Sequence, residues 1–121
     1  NETWYLKYVL LSLFKKVFTD CLRDVIIRLA YANLIDWRFK METKLNQLLA
    51  DFVVEYHKLQ TFHWYVKGKD FFTVHAKLEE YYDHVNENID EVAEHILMLN
   101  MKPLASLQEF LKVSSITEAH G

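Results

Sequence analysis

Only three of the 121 residues, Gly68, Pro103 and Gly121, are of the two types that most readily break regular structure. Sandwiches and barrels need a turn every 8–12 residues or so, and those turns draw on glycine and proline. This chain lacks that punctuation and is expected to be all-α. Its 51% hydrophobic and 15% aromatic content is enough to furnish a core for one domain.

The pattern between the breaks gives the elements. In residues 42–66, Leu45, Leu48, Leu49, Phe52, Val53, Tyr56 and Leu59 recur at helical spacing, while Asp51, Glu55 and Lys58 face elsewhere. Gly68 ends this helix, and Asp70 is placed to cap the next. In residues 71–100, Phe71, Leu78, Tyr82, Val85, Ile89, Val92, Ile96 and Leu99 step by threes and fours, with His75 in the one gap. This is a heptad-like seam about four heptads long. The short loop between the two helices predicts an antiparallel hairpin. Past Pro103, Ser106-Leu107-Gln108-Glu109 has the form of a capping box, opening a short helix to about Val113.

Residues 1–40 differ in character. Tyr5, Val9, Leu13 and Val17, then Leu22, Val25, Ile26 and Leu29, allow a helix, but apolar residues occur nearly all round it. Seven basic and four acidic residues give this segment a charge of +3, whereas residues 41–121 carry −6. The asymmetry predicts two segments of different role or origin: an N-terminal extension over 1–40 and a domain over 41–121, with Met41 as the expected natural start. The stretch from Trp4 to Phe18 is broken by Lys7, Lys15 and Lys16. It is neither the ~18 apolar residues of a membrane span nor followed by a small-residue cleavage site. The single Cys21 cannot form an internal disulfide, which fits a reducing compartment, so a cytoplasmic location is expected. The Asn1-Glu2-Thr3 sequon is read as chance.

Chemistry concentrates on histidines and acids. His63 continues the apolar stripe of the first helix, and His75 sits in the seam of the second. Beside that seam runs an acidic row, Glu79, Asp83, Asp90 and Glu94. His75 with Glu79, and Asp90 with Glu94, are i, i+4 pairs that can point at one ion, and imidazole with carboxylate suits iron, zinc or manganese. A lone histidine on an apolar stripe is more often a hydrogen-bonded core residue, and an acidic row is usually a solvated face. A second row, Glu80, His84, Glu87, Glu91 and His95, has equally good spacings, so periodicity leaves the metal face open. No Glu-x-x-His pair, the usual di-iron signature of a four-helix bundle, is present. Reach is more discriminating. His75 and Asp90 are fifteen residues apart, about 22 Å along a helix, and cannot hold one ion within one chain. His63, near the hairpin turn, falls beside His75. Each chain thus offers two distant half-sites, which a twofold contact with a second copy could join.

These residues resemble the starvation-induced DNA-binding protein (Dps) family of mini-ferritins. FHWYVKGKDFFTVHAKLEE (Phe62–Glu80) is similar to the end of its first helix and the start of its second. NIDEVAEHIL (Asn88–Leu97) is similar to its second metal-binding segment. KPLASLQEFL (Lys102–Leu111) is similar to its short connecting helix, and LNQLLADFVVEYHKLQ to its first helix. The resemblance covers residues 41–121. It implies a ferritin-like four-helix bundle assembled as a hollow dodecamer, with the ferroxidase centre between twofold-related subunits. His63 and His75 would come from one subunit, Asp90 and Glu94 from the other, and Glu79 would be a further acidic ligand. The resemblance thereby selects the first acidic row, and His95 departs from the basic residue expected there. Trp64 would lie near the iron, where it either accepts oxidising equivalents or simply packs.

Two departures shape the expectation. The sequence stops where the family's third and fourth helices would begin, so only the first two bundle helices and the short connecting helix are expected. The unpartnered seam should then drive self-association or swapping, or be covered by residues 1–40. Residues 1–40 are too apolar for the flexible Lys/Arg-rich tail of the family's DNA-binding members. The implied function is a ferroxidase that oxidises two ferrous ions per inter-subunit site with peroxide or dioxygen and stores the ferric product. A nucleoid-associated DNA-binding protein is the rival, opposed by the −6 of residues 41–121. A truncated, inactive product is the third reading.

Overall fold

The computed structural model describes residues 2–121; Asn1, which opens both the sequon and the 1–40 segment, lies outside the described residues. The elements are three α-helices, α1 (Glu2–Tyr65), α2 (Phe71–Met98) and α3 (Leu107–Val113), and no strand occurs among the described residues. The all-α expectation and all three helices of residues 42–113 are therefore found. The chain divides into two compact units, Asn1–Phe39 and Lys40–Gly121, and α1 contributes to both. The first unit is helix throughout its described length. No glycine or proline interrupts residues 2–65, and their Leu, Ala, Lys and Arg content is favourable to helix.

In the second unit α1 and α2 lie antiparallel. Met41, Leu45 and Leu49 pack with Ile89, Val92, Ala93 and Ile96 at one end, and Met101 and Phe110 close that cluster. Tyr56 meets Tyr82 edge-on in the middle, with ring centroids 5.7 Å apart. His63 meets His75 at the turn. Leu49 and Ile96 are the largest side chains fully removed from water. Truncating either would cost about 2–5 kcal/mol, because its neighbours cannot collapse fully into the gap.

The helix ends show how local chemistry sets the boundaries. Gly68 has φ +116, a left-handed value that a side chain resists, and it opens the turn into α2. Asp70 occupies the N-cap position of α2, but its side chain makes no capping bond. α2 stops at Met98, two residues short of the expected end, because Asn100 adopts φ 60. Its N–H bonds Leu97 O (2.9 Å), and the Met101 N–H bonds Ile96 O (3.0 Å). That pair of bonds is a Schellman closure, and Met101 then packs on Ile96 as such closures favour. The capping box at α3 is complete. Ser106 Oγ accepts from the Glu109 N–H at 3.2 Å, and the Glu109 carboxylate accepts from the Ser106 N–H at 3.2 Å.

Two buried or half-buried polar residues of α1 tie down the chain beyond α2. The Asn46 amide donates to Lys102 O (2.9 Å) and accepts from the Leu104 N–H (2.8 Å). The Asp51 carboxylate accepts from the Ser115 N–H (2.7 Å) and from the Ser114 and Ser115 hydroxyls. Burial opposes ionisation of Asp51. The bonds from the Ser115 backbone and the two hydroxyls together outweigh it, and the carboxyl sits below its ordinary 3.8.

Candidate metal centre

His63 lies in the last turn of α1 and is buried; His75 follows in the second turn of α2 and is half-buried. Their rings stack with centroids 3.6 Å apart and planes 22° from parallel. His63 Nδ1 bonds the His75 carbonyl oxygen at 2.8 Å, and His75 Nδ1 bonds the His63 carbonyl oxygen at 2.9 Å. The His63 carbonyl is available because the last carbonyls of a helix have no partner in their own helix. A carbonyl oxygen can only accept, so each Nδ1 must carry the proton. In the neutral rings each Nε2 then bears the lone pair, the tautomer that a metal ligand needs. Neither Nε2 has a hydrogen-bond partner, and no buried side-chain nitrogen among the described residues is left unpaired. Both Nε2 atoms therefore retain contact with solvent.

Aromatic rings hold the pair in place. Phe71 stacks on His75 (centroids 4.8 Å, planes 24° apart), and Tyr82 presents its edge to His63 at 5.4 Å. The Tyr82 hydroxyl is pushed above its ordinary pKa by desolvation, with further contributions from the nearby charges of Glu79 and Asp83, so it stays protonated. The sequence had marked Phe71 and Tyr82 only as seam positions. Phe71 lies one turn before His75 and Tyr82 two turns after it on the same seam, and that shared seam was the signal that they flank the site. Trp64 is exposed, and its ring meets that of His57 edge-on at 6.1 Å.

The acids are placed differently. Glu79 is one turn beyond His75 and exposed; Asp90 and Glu94 are exposed further along α2, with Asp90 about 22 Å from His75 by helical rise. Among the described residues no three His, Cys, Asp or Glu side chains gather around one point. The structure thus brings His63 and His75 together and leaves Asp90 and Glu94 apart from them. The two acidic rows also differ. In the second row Glu80 pairs with Lys77, His84 lies 3.5 Å from Glu87, and His95 Nδ1 donates to Glu91 O at 2.7 Å. Glu79, Asp83, Asp90 and Glu94 pair with no cation of the described chain. An apolar cleft of about 320 Å³ lies elsewhere, where Val53 and Val54 of α1 face Phe110 and Leu111 of α3, and none of the five candidate ligands lines it.

A ferritin-like domain matches residues 42–120, well over half of the chain, and the chain belongs to that family. Within it, residues 41–121 resemble the N-terminal half of the Dps proteins. Two curated relatives are General stress protein 20U of Bacillus subtilis and DNA protection during starvation protein 2 of Bacillus anthracis. The first is 49% identical over 77 residues, covering 64% of this chain and 53% of the relative. The second is 52% identical over 75 residues, covering 62% and 51%. A solved structure of the Dps protein from Vibrio cholerae O1, described as a member of a broad superfamily of ferritin-like diiron-carboxylate proteins, superposes with a TM-score of 0.67 at 40% identity. It covers 69% of this chain and 53% of that one. The chain spans about half the length of the curated relatives it matches.

Proposed function

We propose that this protein binds and oxidises ferrous iron at a site shared between two copies, and stores the ferric product in a homo-oligomeric cage of the dodecameric type. The observation that carries the reading is the histidine pair. Each Nδ1 is committed to a backbone carbonyl, each Nε2 is left to solvent, and among the described residues no carboxylate completes a cluster with them. Ligands pre-oriented in this way suit a metal, and the helical distance from His75 to Asp90 favours completion of the site by a second copy. Asp90 and Glu94, an unpaired i, i+4 couple, are the groups of a second copy that fit, with Glu79 beside the histidines as the further acid. Phe62, Trp64 and Phe72, close in sequence to the histidines, remain exposed, as a contact surface would.

The chemistry assigns each group a task. The imidazoles hold ferrous iron as neutral donors, and the carboxylates favour the ferric product by their charge. Two ferrous ions each give one electron to hydrogen peroxide; the O–O bond breaks, two protons are taken up, and two ferric ions and two waters result. Dioxygen is the slower oxidant. Removing ferrous iron and peroxide together suppresses radical damage, which agrees with the stress and starvation names of the relatives. A cytoplasmic or nucleoid location follows on this reading. DNA protection is the name of one relative, but phosphate binding here has to overcome the −6 of residues 41–121.

The test is anaerobic addition of ferrous iron to the assembled protein, followed by peroxide. The reading expects bound ferrous iron before oxidant, and two irons oxidised per peroxide consumed. Ferrous iron that remains free, or peroxide consumed without protein-dependent acceleration, contradicts it.

A further inference from the structure

Apolar residues occur on every side of the first unit's helix, but its charges do not. Over residues 11–32, at about 100° per residue, Leu11, Phe14, Phe18, Leu22, Val25 and Leu29 fall inside an arc of about 80°. No charged residue of that stretch enters the arc. The face is about 32 Å long, and it is open: Phe14 is 72% exposed, Phe18 57% and Leu29 60%. The six charges of the stretch are arranged around it. Lys15 borders one edge and Arg28 the other, while Lys16, Asp20, Arg23 and Asp24 lie behind. Arg23 is 3.7 Å from Asp20 and 3.9 Å from Asp24, so one cation at the back of the helix engages both acids. Lys15, Lys16 and Arg28 pair with no acid among the described residues.

We propose that residues 11–32 dock on the surface of an anionic lipid bilayer, with the helix axis in the membrane plane and the Phe18 face at the acyl boundary. Charge complementarity selects this cover. An apolar face bordered on both sides by unpaired cations fits a layer that is apolar beneath and anionic at its surface. The stems of Lys15 and Arg28 lie along the face while their charges reach the headgroups. A second copy would bring the same cationic borders and no acid to meet them, whichever way the two helices ran. Leu13, Val17 and Ile27 are exposed outside the arc, beyond what a groove for one stripe covers, whereas fluid headgroups and acyl chains close around them. Tyr8 and Trp37, exposed beyond the two ends, are amphipathic rings of the kind that sit at headgroup depth. The charges behind the face set the mode: the helix lies on the bilayer, and no helix among the described residues is long and apolar enough to cross it. This docking is independent of the iron site, since it uses no residue of the second unit.

The test uses the full chain and vesicles of phosphatidylcholine with or without phosphatidylglycerol. The chain should sediment with the anionic vesicles and far less with the neutral ones. Residues 41–121 carry −6 and would be repelled by the same anionic surface. Lys15→Gln combined with Arg28→Gln should weaken partition about thirtyfold, at about fivefold for each cation removed. Leu22→Asn, on the face, should release the chain, and Leu13→Asn, on the back, should leave it bound. A spin label on Cys21, one heptad after Phe14, should gain access to oxygen and lose access to a water-soluble nickel chelate when anionic vesicles are added. A label on Ile27→Cys in a Cys21→Ser background, opposite the face, should stay accessible to the chelate. Equal binding to neutral vesicles, no binding to anionic ones, or release by Leu13→Asn as ready as by Leu22→Asn would overturn the proposal. So would self-association that Leu22→Asn abolishes in a chain that leaves vesicles alone, which would make protein the cover.

Discussion

At the scale of single residues, hydrogen-bond geometry separates a candidate ligand from a packed histidine. His63 and His75 are both hydrogen-bonded, as ordinary core histidines are, but only through Nδ1. The sequence placed the two side by side from their position at the hairpin turn. It could not show that each would bond the other's backbone, because that depends on a stacking distance set by α1–α2 packing. Asp51 was read from sequence only as a residue facing away from the stripe, and its role as the anchor of residues 114–116 depends on a serine pair that carries no periodic signal. Its depressed pKa has a consequence. The folded-state value lies below the ordinary 3.8, so the stabilisation is fully present above that value and is lost as pH falls through the lower, folded one. Amide exchange of Ser115 should therefore stay slow down to about the ordinary carboxylate range and accelerate below it, and Asp51→Ala should make it fast throughout. Protection unchanged in the acid limb would contradict that role.

Among the elements, the seam of α2 and the capping box of α3 were legible because each is a local pattern with one physical meaning. The end of α2 was less so. A left-handed Asn100 and a Met101 side chain that folds back on Ile96 form a closure that hydrophobic periodicity overruns by two residues. The start of α1 was obscured differently. Apolar residues on all sides give no moment to follow, yet nothing in residues 2–41 interrupts helix. α3, at seven residues, is too short to be stable alone and depends on its box and on Phe110 in the core. Ser106→Ala removes the acceptor for the Glu109 N–H and should cost about 1 kcal/mol of stability, read as a lower denaturation midpoint at unchanged slope. A midpoint equal to the parent's would mean that the box is not holding the helix.

For the whole molecule, the two units pose separate questions. The ferritin-like match covers residues 42–120, and the compact units are Asn1–Phe39 and Lys40–Gly121. A site divided between two copies, as proposed, would not be displayed by one chain, and the reach of a helix is the sequence argument that bears on it. About 22 Å separates His75 from Asp90, so five candidate ligands in one sequence do not amount to one site in one chain. The most direct test mixes two damaged proteins. In the assembled protein His63→Ala and Asp90→Ala should each oxidise ferrous iron slowly while leaving the oligomer intact, since Asp90 is exposed and His63, though buried, lies outside the Leu49–Ile96 cluster that holds α1 to α2. When the two variants are coexpressed, a twofold pair containing one of each collects both lesions in one site and leaves the other whole. Random mixing should then restore about a quarter of the wild-type sites. Recovery of ferrous oxidation toward that level is the predicted result. Variants that each oxidise iron at the wild-type rate, or mixtures that never exceed their parents, would contradict a site shared between subunits.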